Sequence, residues 1–228
     1  MIQAVTLAGG LGTRMRPRTE TIPKVLLPVL GRPFLEYQIK MLRSQGTDRV
    51  LVLAGHLGEL IREYFGDGSA HGVHISYSFD PPGLLGTGGA LKHAQDALED
   101  EFLLLNGDTL LEIDYAALTR AFRDAGKWAL LTAARRTGSA PGNLLIDARG
   151  AVSHYSKRDP RGEHVDAGAA VFSRRILALI PPARACSLEE QVYPQLIERG
   201  EVAALPLDTT FFDMGTPAGL AALEAHLA

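Results

Sequence analysis

Five short apolar runs rich in Val, Ile and Leu recur along the chain, at residues 2–7, 50–53, 73–77, 102–105 and 129–133, and stretches with helical spacing separate them. Alternation of this kind builds βαβ units, so the chain is predicted to be an α/β protein with a Rossmann-like, doubly wound and mainly parallel sheet. The first intervening stretch has Pro33 placed for a helix's first turn, Leu35, Ile39 and Leu42 on one face, and Gly46 as its stop. Further on, Ser187 and Glu190 read as a capping box before a helix ended by Gly200, and Thr216 with Pro217 reads as an N-cap followed by the first helical residue. Shorter runs at 143–146, 151–155 and 165–172 read as strands of a small sheet extension. No repeat, low-complexity tract or interdomain linker interrupts the pattern, so residues 1–228 are expected to form one domain.

With 228 residues, 46% of them hydrophobic, the chain can bury a full core. A formal net charge of −3 gives no basic surplus, which argues against a nucleic-acid partner and makes any anion site a local one. Trp128 and the sparse aromatics form no stacking ladder and are expected in the core. The single cysteine, Cys186, excludes an internal disulfide framework and is read as a buried thiol in a reducing compartment. The seven histidines show no zinc-hydrolase spacing. The start of the chain lacks a signal peptide's pattern, and no segment reaches a membrane span's roughly 18 apolar residues, so a cytoplasmic protein without a membrane partner is expected. A homo-oligomer is compatible with all of this.

Directly after the first run stands "LAGGLGTRMRPRTETIPK", residues 7–24. Glycines after a strand let main-chain N–H groups approach an anion closely. No Gly-Lys-Ser/Thr follows, which excludes a Walker loop, and the glycine spacing is not the dinucleotide-binding G-x-G-x-x-G. The segment instead matches every fixed position of G-G-x-G-T-R-[LM]-x-P-x-T-x-x-x-P-K. On this signature the chain resembles the sugar-1-phosphate nucleotidyltransferases. "LGTGGAL" (85–91), "LLNGDTL" (104–110) and "FFDMGTP" (211–217) follow in that family's order, so the resemblance covers nearly the whole chain. It implies a nucleotide-diphospho-sugar transferase type of fold, an NTP and a sugar 1-phosphate as partners, and Mg²⁺ as cofactor.

The resemblance also implies roles residue by residue. Leu7, Ala8, Gly9, Gly10, Gly12 and Thr13 would line the triphosphate loop. Arg14 would contact the phosphates and the departing pyrophosphate, and Lys24 would lie over the reacting phosphate. Gly86, Thr87, Gly88 and Gly89 would let the base lie against main chain, with Asn106 beside the nucleotide. Asp108, at a strand end, and Asp213 would be the metal ligands, and hard carboxylate oxygens suit Mg²⁺. Gly142, Asn143, Lys157, Asp166 and Gly168 would form the sugar-phosphate side. In "YSKRDP" and "VDAGAAVF" the sequence departs from the family, with Ser156 and Arg158 flanking Lys157 in place of Glu and Pro, and Asp166 in place of the usual Asn. Asp80 stands where many relatives carry Glu, and its role is open.

The loops look most like the short heptose-1-phosphate guanylyltransferases and then the mannose-1-phosphate guanylyltransferases, which makes GTP the leading donor. Uridylyl or thymidylyl transfer, including the N-acetylmuramate-1-phosphate uridylyltransferase branch, is the alternative within the family. A noncatalytic domain that senses nucleotide-sugars is the alternative outside it, and retention of Arg14, Lys24, Asp108 and Asp213 argues against that reading.

Overall fold

The computed structural model describes residues 2–135, 142–159 and 161–228. Its central sheet begins with β1 (Gln3–Ala8). A small hairpin, β2 (Pro28–Val29) and β3 (Arg32–Pro33), leads into helix α1 (Phe34–Ser44). Then come β4 (Arg49–Ala54), α2 (Gly58–Phe65), β5 (His74–Phe79), α3 (Gly86–His93) and β6 (Glu101–Asn106). The second half contains β7 (Thr109–Leu111), α4 (Tyr115–Ala125), β8 (Ala129–Arg135), β9 (Leu144–Ile146), β10 (Val152–Tyr155) and β11 (His164–Ser173). It closes with α5 (Tyr193–Glu198), β12 (Val202–Leu207), β13 (Phe211–Asp213) and α6 (Pro217–Leu227).

Strands β5, β4, β1 and β6 lie side by side in that order and all run parallel. The next neighbour of β6 is β11, which runs antiparallel to it and to β8, and β12 adds a parallel edge to β8. The expected α/β architecture is therefore present, and the expected sheet extension corresponds to β9 and β10 beside the start of β11. Alternate residues of the central strands feed two cores. Val5, Leu51, Leu53, Phe102 and Leu104 pack with Leu91 of α3 and with Tyr193 and Leu196 of α5. Ala4, Val50, Val52, Leu103 and Leu105 face Leu35, Ile39 and Leu42 of α1, Ile61 and Phe65 of α2, and Leu118 and Phe122 of α4. Strands covered on both sides need apolar residues at every position, which explains why they read as unbroken runs.

Several local readings meet a different structure. Pro33 ends β3 and precedes α1 instead of occupying its first turn, because Pro28 and Pro33 are opposed across the β2–β3 hairpin. The Ser187 hydroxyl accepts the Glu190 N–H at 3.2 Å, but the return bond, from the Ser187 N–H at 2.9 Å, goes to Gln191 while Glu190 pairs with Arg158. Residues Leu188–Val192 form a wide π turn before α5. Pro194 supplies no N–H with which to close a regular turn there. Thr216 caps α6 as read, its hydroxyl accepting the Gly219 N–H at 3.1 Å. Cys186 is buried, and Trp128 packs partly buried against the first core. Among the described residues no helix is long and apolar enough to cross a membrane.

A close joint lies where β1 and β6 end. The Gly107 N–H donates to the Leu7 carbonyl at 3.0 Å, and a Cβ on Gly107 would meet that same oxygen at 2.1 Å. Gly107→Ala is expected to cost about 1–3 kcal/mol, the range for overpacking. A Cβ on Gly10 would meet nothing within 4 Å, so Gly10→Ala should stay within about 0.5 kcal/mol of the parent. Urea unfolding of the two variants beside the parent checks both expectations.

Candidate active site

Parallel α/β sheets bind ligands beyond the carboxyl ends of their strands, where the chain leaves neighbouring strands in opposite directions. Here that point lies between β1 and β6, and a cleft of about 280 Å³ opens there. Its lining comes from the end of β1 (Leu7, Ala8) with Gly9 and Gly10, from the end of β6 (Asn106) with Gly107 and Asp108, and from Asp80, Leu84, Gly86 and Thr87 before and in α3. Lys24, Lys157 and Glu189 also line it.

The three glycines of the opening loop do different work. A Cβ on Gly9 would lie 3.3 Å from Asp80 Oδ2, so Gly9 leaves room for that carboxylate, and the crossing of the two chains there constrains Gly55, whose own Cβ would meet the Gly9 carbonyl at 2.7 Å. Gly12 has φ +60°, and a Cβ on it would press on Thr19, whose hydroxyl donates to the Gly12 carbonyl at 2.8 Å. Gly10 alone of the three has open space above its backbone. Thr13 and Arg14 follow in a single 3₁₀ turn outside the cleft lining.

Lys24 and Asp108, in the cleft lining, meet Arg14 and Asp213, which stand just outside it. Lys24 Nζ donates to Asp108 Oδ2, and both side chains are largely buried, 17% and 19% exposed. Arg14 stands between two carboxylates, 4.0 Å from Asp108 Oδ2 and 4.0 Å from Asp213 Oδ2. Asp213 reaches this place because β13 pairs with β7, setting Asp213 opposite Thr109, and because the Met214 N–H donates to the Asp108 carbonyl at 2.9 Å. Met15, Leu27, Leu110, Met214 and Leu220 form a small separate core that holds the opening loop against this ribbon and α6. Asp108 and Asp213, read 105 positions apart in the sequence, are thus brought onto one guanidinium.

Residues 86–89 are placed differently from the sequence reading, in which all four lie against a base. They form the first turn of α3, and the Gly88 and Gly89 N–H groups both donate to the Cys186 carbonyl, at 2.8 and 3.1 Å. A Cβ on Gly89 would meet the Arg184 carbonyl at 2.8 Å. Gly88 and Gly89 are therefore small for chain packing, and only Gly86 and Thr87 face the cleft.

On the opposite side, Lys157 lines the cleft and Asp166 and Gly168 line a recess behind it. The Asn143 side-chain oxygen accepts the Asp166 N–H at 2.9 Å. Gly142 is tied to Gly162 by two backbone bonds and would clash with the His164 carbonyl if it carried a Cβ, so it supports Asn143 and has no free donor. Burial pushes the Asp166 and Asp80 carboxyls above the usual carboxylate range.

Glu189 is the site residue that the sequence reading missed. Its Oε2 accepts the Thr87 and Ser187 hydroxyls, each at 2.8 Å, and its Oε1 accepts Lys157 Nζ at 3.0 Å. Burial alone would raise its carboxyl, yet the Lys157 charge, its own backbone N–H and the hydrogen bonds from Thr87 and Lys157 together hold it below the usual range. An acid two residues after a helix N-cap ordinarily complements the helix dipole, so "SLEE" carries no distinguishing signal.

Among the described residues no group of three or more His, Cys, Asp or Glu is arranged to hold a metal ion. Asp108 and Asp213 offer two hard carboxylates, a donor set that fits Mg²⁺ when a ligand's phosphate oxygens and water complete the shell.

Comparison with known proteins agrees with this geometry. The nucleotidyl transferase family model matches residues 3–228. The UTP--glucose-1-phosphate uridylyltransferase of Synechocystis sp. is 30% identical over 94% of this chain and 60% of its own length. The mannose-1-phosphate guanylyltransferase of Mycobacterium tuberculosis is 33% identical over 95% of this chain and 62% of its own. The chain thus spans about 60% of the length of these curated relatives. The crystal structure of HddC from Yersinia pseudotuberculosis complexed with GMP-PN superposes over 100% of both chains with a TM-score of 0.86 at 26% identity. With the signature loop at the sheet's switch point and a family match over almost every residue, the chain belongs to the nucleotidyl transferase family.

Proposed function

We propose that the protein transfers a nucleoside monophosphate from an NTP, with GTP as the preferred donor, to a neutral sugar 1-phosphate of the heptose or mannose type, releasing pyrophosphate. The observation that carries this reading is the convergence of Lys24, Arg14, Asp108 and Asp213 at the switch point of the sheet, where Gly10 of the signature loop leaves open space above its backbone. A phosphate monoester's second pKa is about 6, so a sugar phosphate arrives as a dianion and needs no base to activate it. The demand on the protein is to hold two anions in line and to stabilise charge as it moves to the leaving pyrophosphate. Lys24, held by Asp108, is a preorganised cation at that place, and Arg14 is a second one at its edge. Asp108 and Asp213 would hold Mg²⁺, which when bound neutralises phosphate oxygens. The buried Cys186 suits a reducing, cytoplasmic compartment.

Support for guanylyl transfer comes from the resemblance of the 85–91 and C-terminal segments to that branch and from the guanylyl-named relative and the GMP-PN complex. The uridylyl-named relative supports the competing donor. Pyrophosphate release measured with the four common NTPs against hexose and heptose 1-phosphates decides between them. A higher kcat/KM with GTP than with UTP or dTTP is expected, and the reverse order would remove the guanylyl assignment while leaving nucleotidyl transfer intact. No release with any pair would leave a noncatalytic ligand-binding domain.

Lys24→Ala is expected to lower kcat by about 10²-fold or more, as does loss of one preorganised charge-stabilising donor elsewhere, with an unchanged circular dichroism spectrum. Wild-type turnover in that folded variant would remove Lys24 from the reaction. Asp108→Asn and Asp213→Asn should each sharply lower kcat and raise the Mg²⁺ concentration needed for half-maximal rate. If both act through one ion, the double variant should be far less than multiplicatively worse. A normal Mg²⁺ titration for Asp213→Asn would confine that residue to the turn that opens α6.

A further inference from the structure

Behind Leu7 and Asn106 the cleft narrows into a recess of about 10 Å³, the space of one hydroxyl or water. Asp166 and Glu189 both line it, together with Gly168 and Tyr193, and among the described residues no Lys or Arg does. Asp166 is pinned on three sides. Its Oδ1 accepts the Gly168 N–H at 3.0 Å, its Oδ2 accepts the Tyr155 hydroxyl at 3.0 Å, and its own N–H is held by Asn143. Tyr155 and Tyr193 meet edge to face at 4.9 Å and close the space behind it. Glu189 is pinned in the same way by Thr87, Ser187 and Lys157. Two fixed carboxylates, each able to accept further bonds, thus face a hole of hydroxyl size.

We infer that the Asp166 and Glu189 recess selects the sugar, taking in a hydroxyl of a neutral sugar 1-phosphate and excluding sugar 1-phosphates that carry a carboxylate, such as uronates and lactyl ethers. This deepens the reading of the site as a sugar-phosphate acceptor and rests on it. An ionised carboxylate only accepts hydrogen bonds, so a sugar hydroxyl is its natural complement. A third carboxylate brought against this small recess would stand beside the two acids that line it, and like charges brought together in such a place disfavour binding strongly. Among the described residues the cation paired with Glu189 is Lys157, which also lines the main cleft where the sugar's phosphate would draw it. Burial already pushes the Asp166 carboxyl upward, and a further anion beside it would deepen that cost.

The test compares mannose 1-phosphate with mannuronate 1-phosphate, and glucose 1-phosphate with glucuronate 1-phosphate, on the intact protein. Binding is measured by calorimetry with GMP-PN present, and pyrophosphate release is measured in parallel with GTP. Binding of at least one neutral sugar about 10²-fold tighter than its uronate is expected. Asp166→Asn and Glu189→Gln should each narrow that ratio about 10-fold or more, through a gain in uronate affinity. Equal binding within both pairs, no binding of any of the four, or variants that weaken both sugars in proportion and leave the ratio unchanged would each overturn the inference. If Asp166→Asn fails to fold by circular dichroism, Glu189→Gln carries the comparison alone. Selective binding without pyrophosphate release from any NTP would leave the recess's selectivity standing and remove the transfer reaction.

Discussion

The site depends on the tight closure between the ends of β1 and β6. Leu7 is paired with Asn106, and the Gly107 N–H then reaches back to the Leu7 carbonyl. That contact aligns the residues leaving the two strands, Ala8 to Gly10 on one side and Gly107 and Asp108 on the other, across a gap that a side chain on Gly107 would force apart. A parallel pair buried on both faces has no slack with which to adjust such a joint, because a shift of register would carry every apolar side chain into the wrong core. The residues leaving the two strand ends are consequently fixed relative to one another by the sheet.

A second, weaker construction brings the remaining charges to that joint. The small core of Met15, Leu27, Leu110, Met214 and Leu220 is separate from the two that cover the sheet. It fastens the loop carrying Arg14 and Lys24 to the β7–β13 ribbon carrying Asp213. Arg14 and Asp213 are both well exposed, so their attraction contributes little to holding these parts together. Apolar packing positions the charges, and the charges are left to act on a ligand.

Charge is divided along the cleft. Lys24 and Arg14 stand with Asp108 and Asp213 at one end, where an anionic phosphate chain needs cations close at hand. Asp166 and Glu189 stand at the other, in a recess that no cation lines among the described residues, where hydroxyl groups need acceptors. Lys157 bridges the two, paired with Glu189 yet facing the open cleft. A ligand with a phosphate at one end and a neutral polyol at the other matches that division.

Much of this was legible in the chain itself. Unbroken apolar runs identified the central strands because burial on both faces permits nothing else, and the spacing from Gly9 to Lys24 identified the family because backbone approach and charge were demanded at fixed positions. What lay outside the sequence was which glycine serves which need. Gly88 and Gly89 answer to neighbouring chain, Gly9 to the Asp80 carboxylate, Gly12 to a left-handed turn, and Gly10 to open space, a distinction that depends on segments brought near only by folding. The short β7 and β13 were likewise unreadable, since residues so few have no period of their own and become strands by pairing with each other. Glu189 was hidden for the same reason. Its chemistry comes from Thr87 and Lys157, distant in sequence, and only the tertiary structure puts a hydroxyl and an ammonium against that one carboxylate.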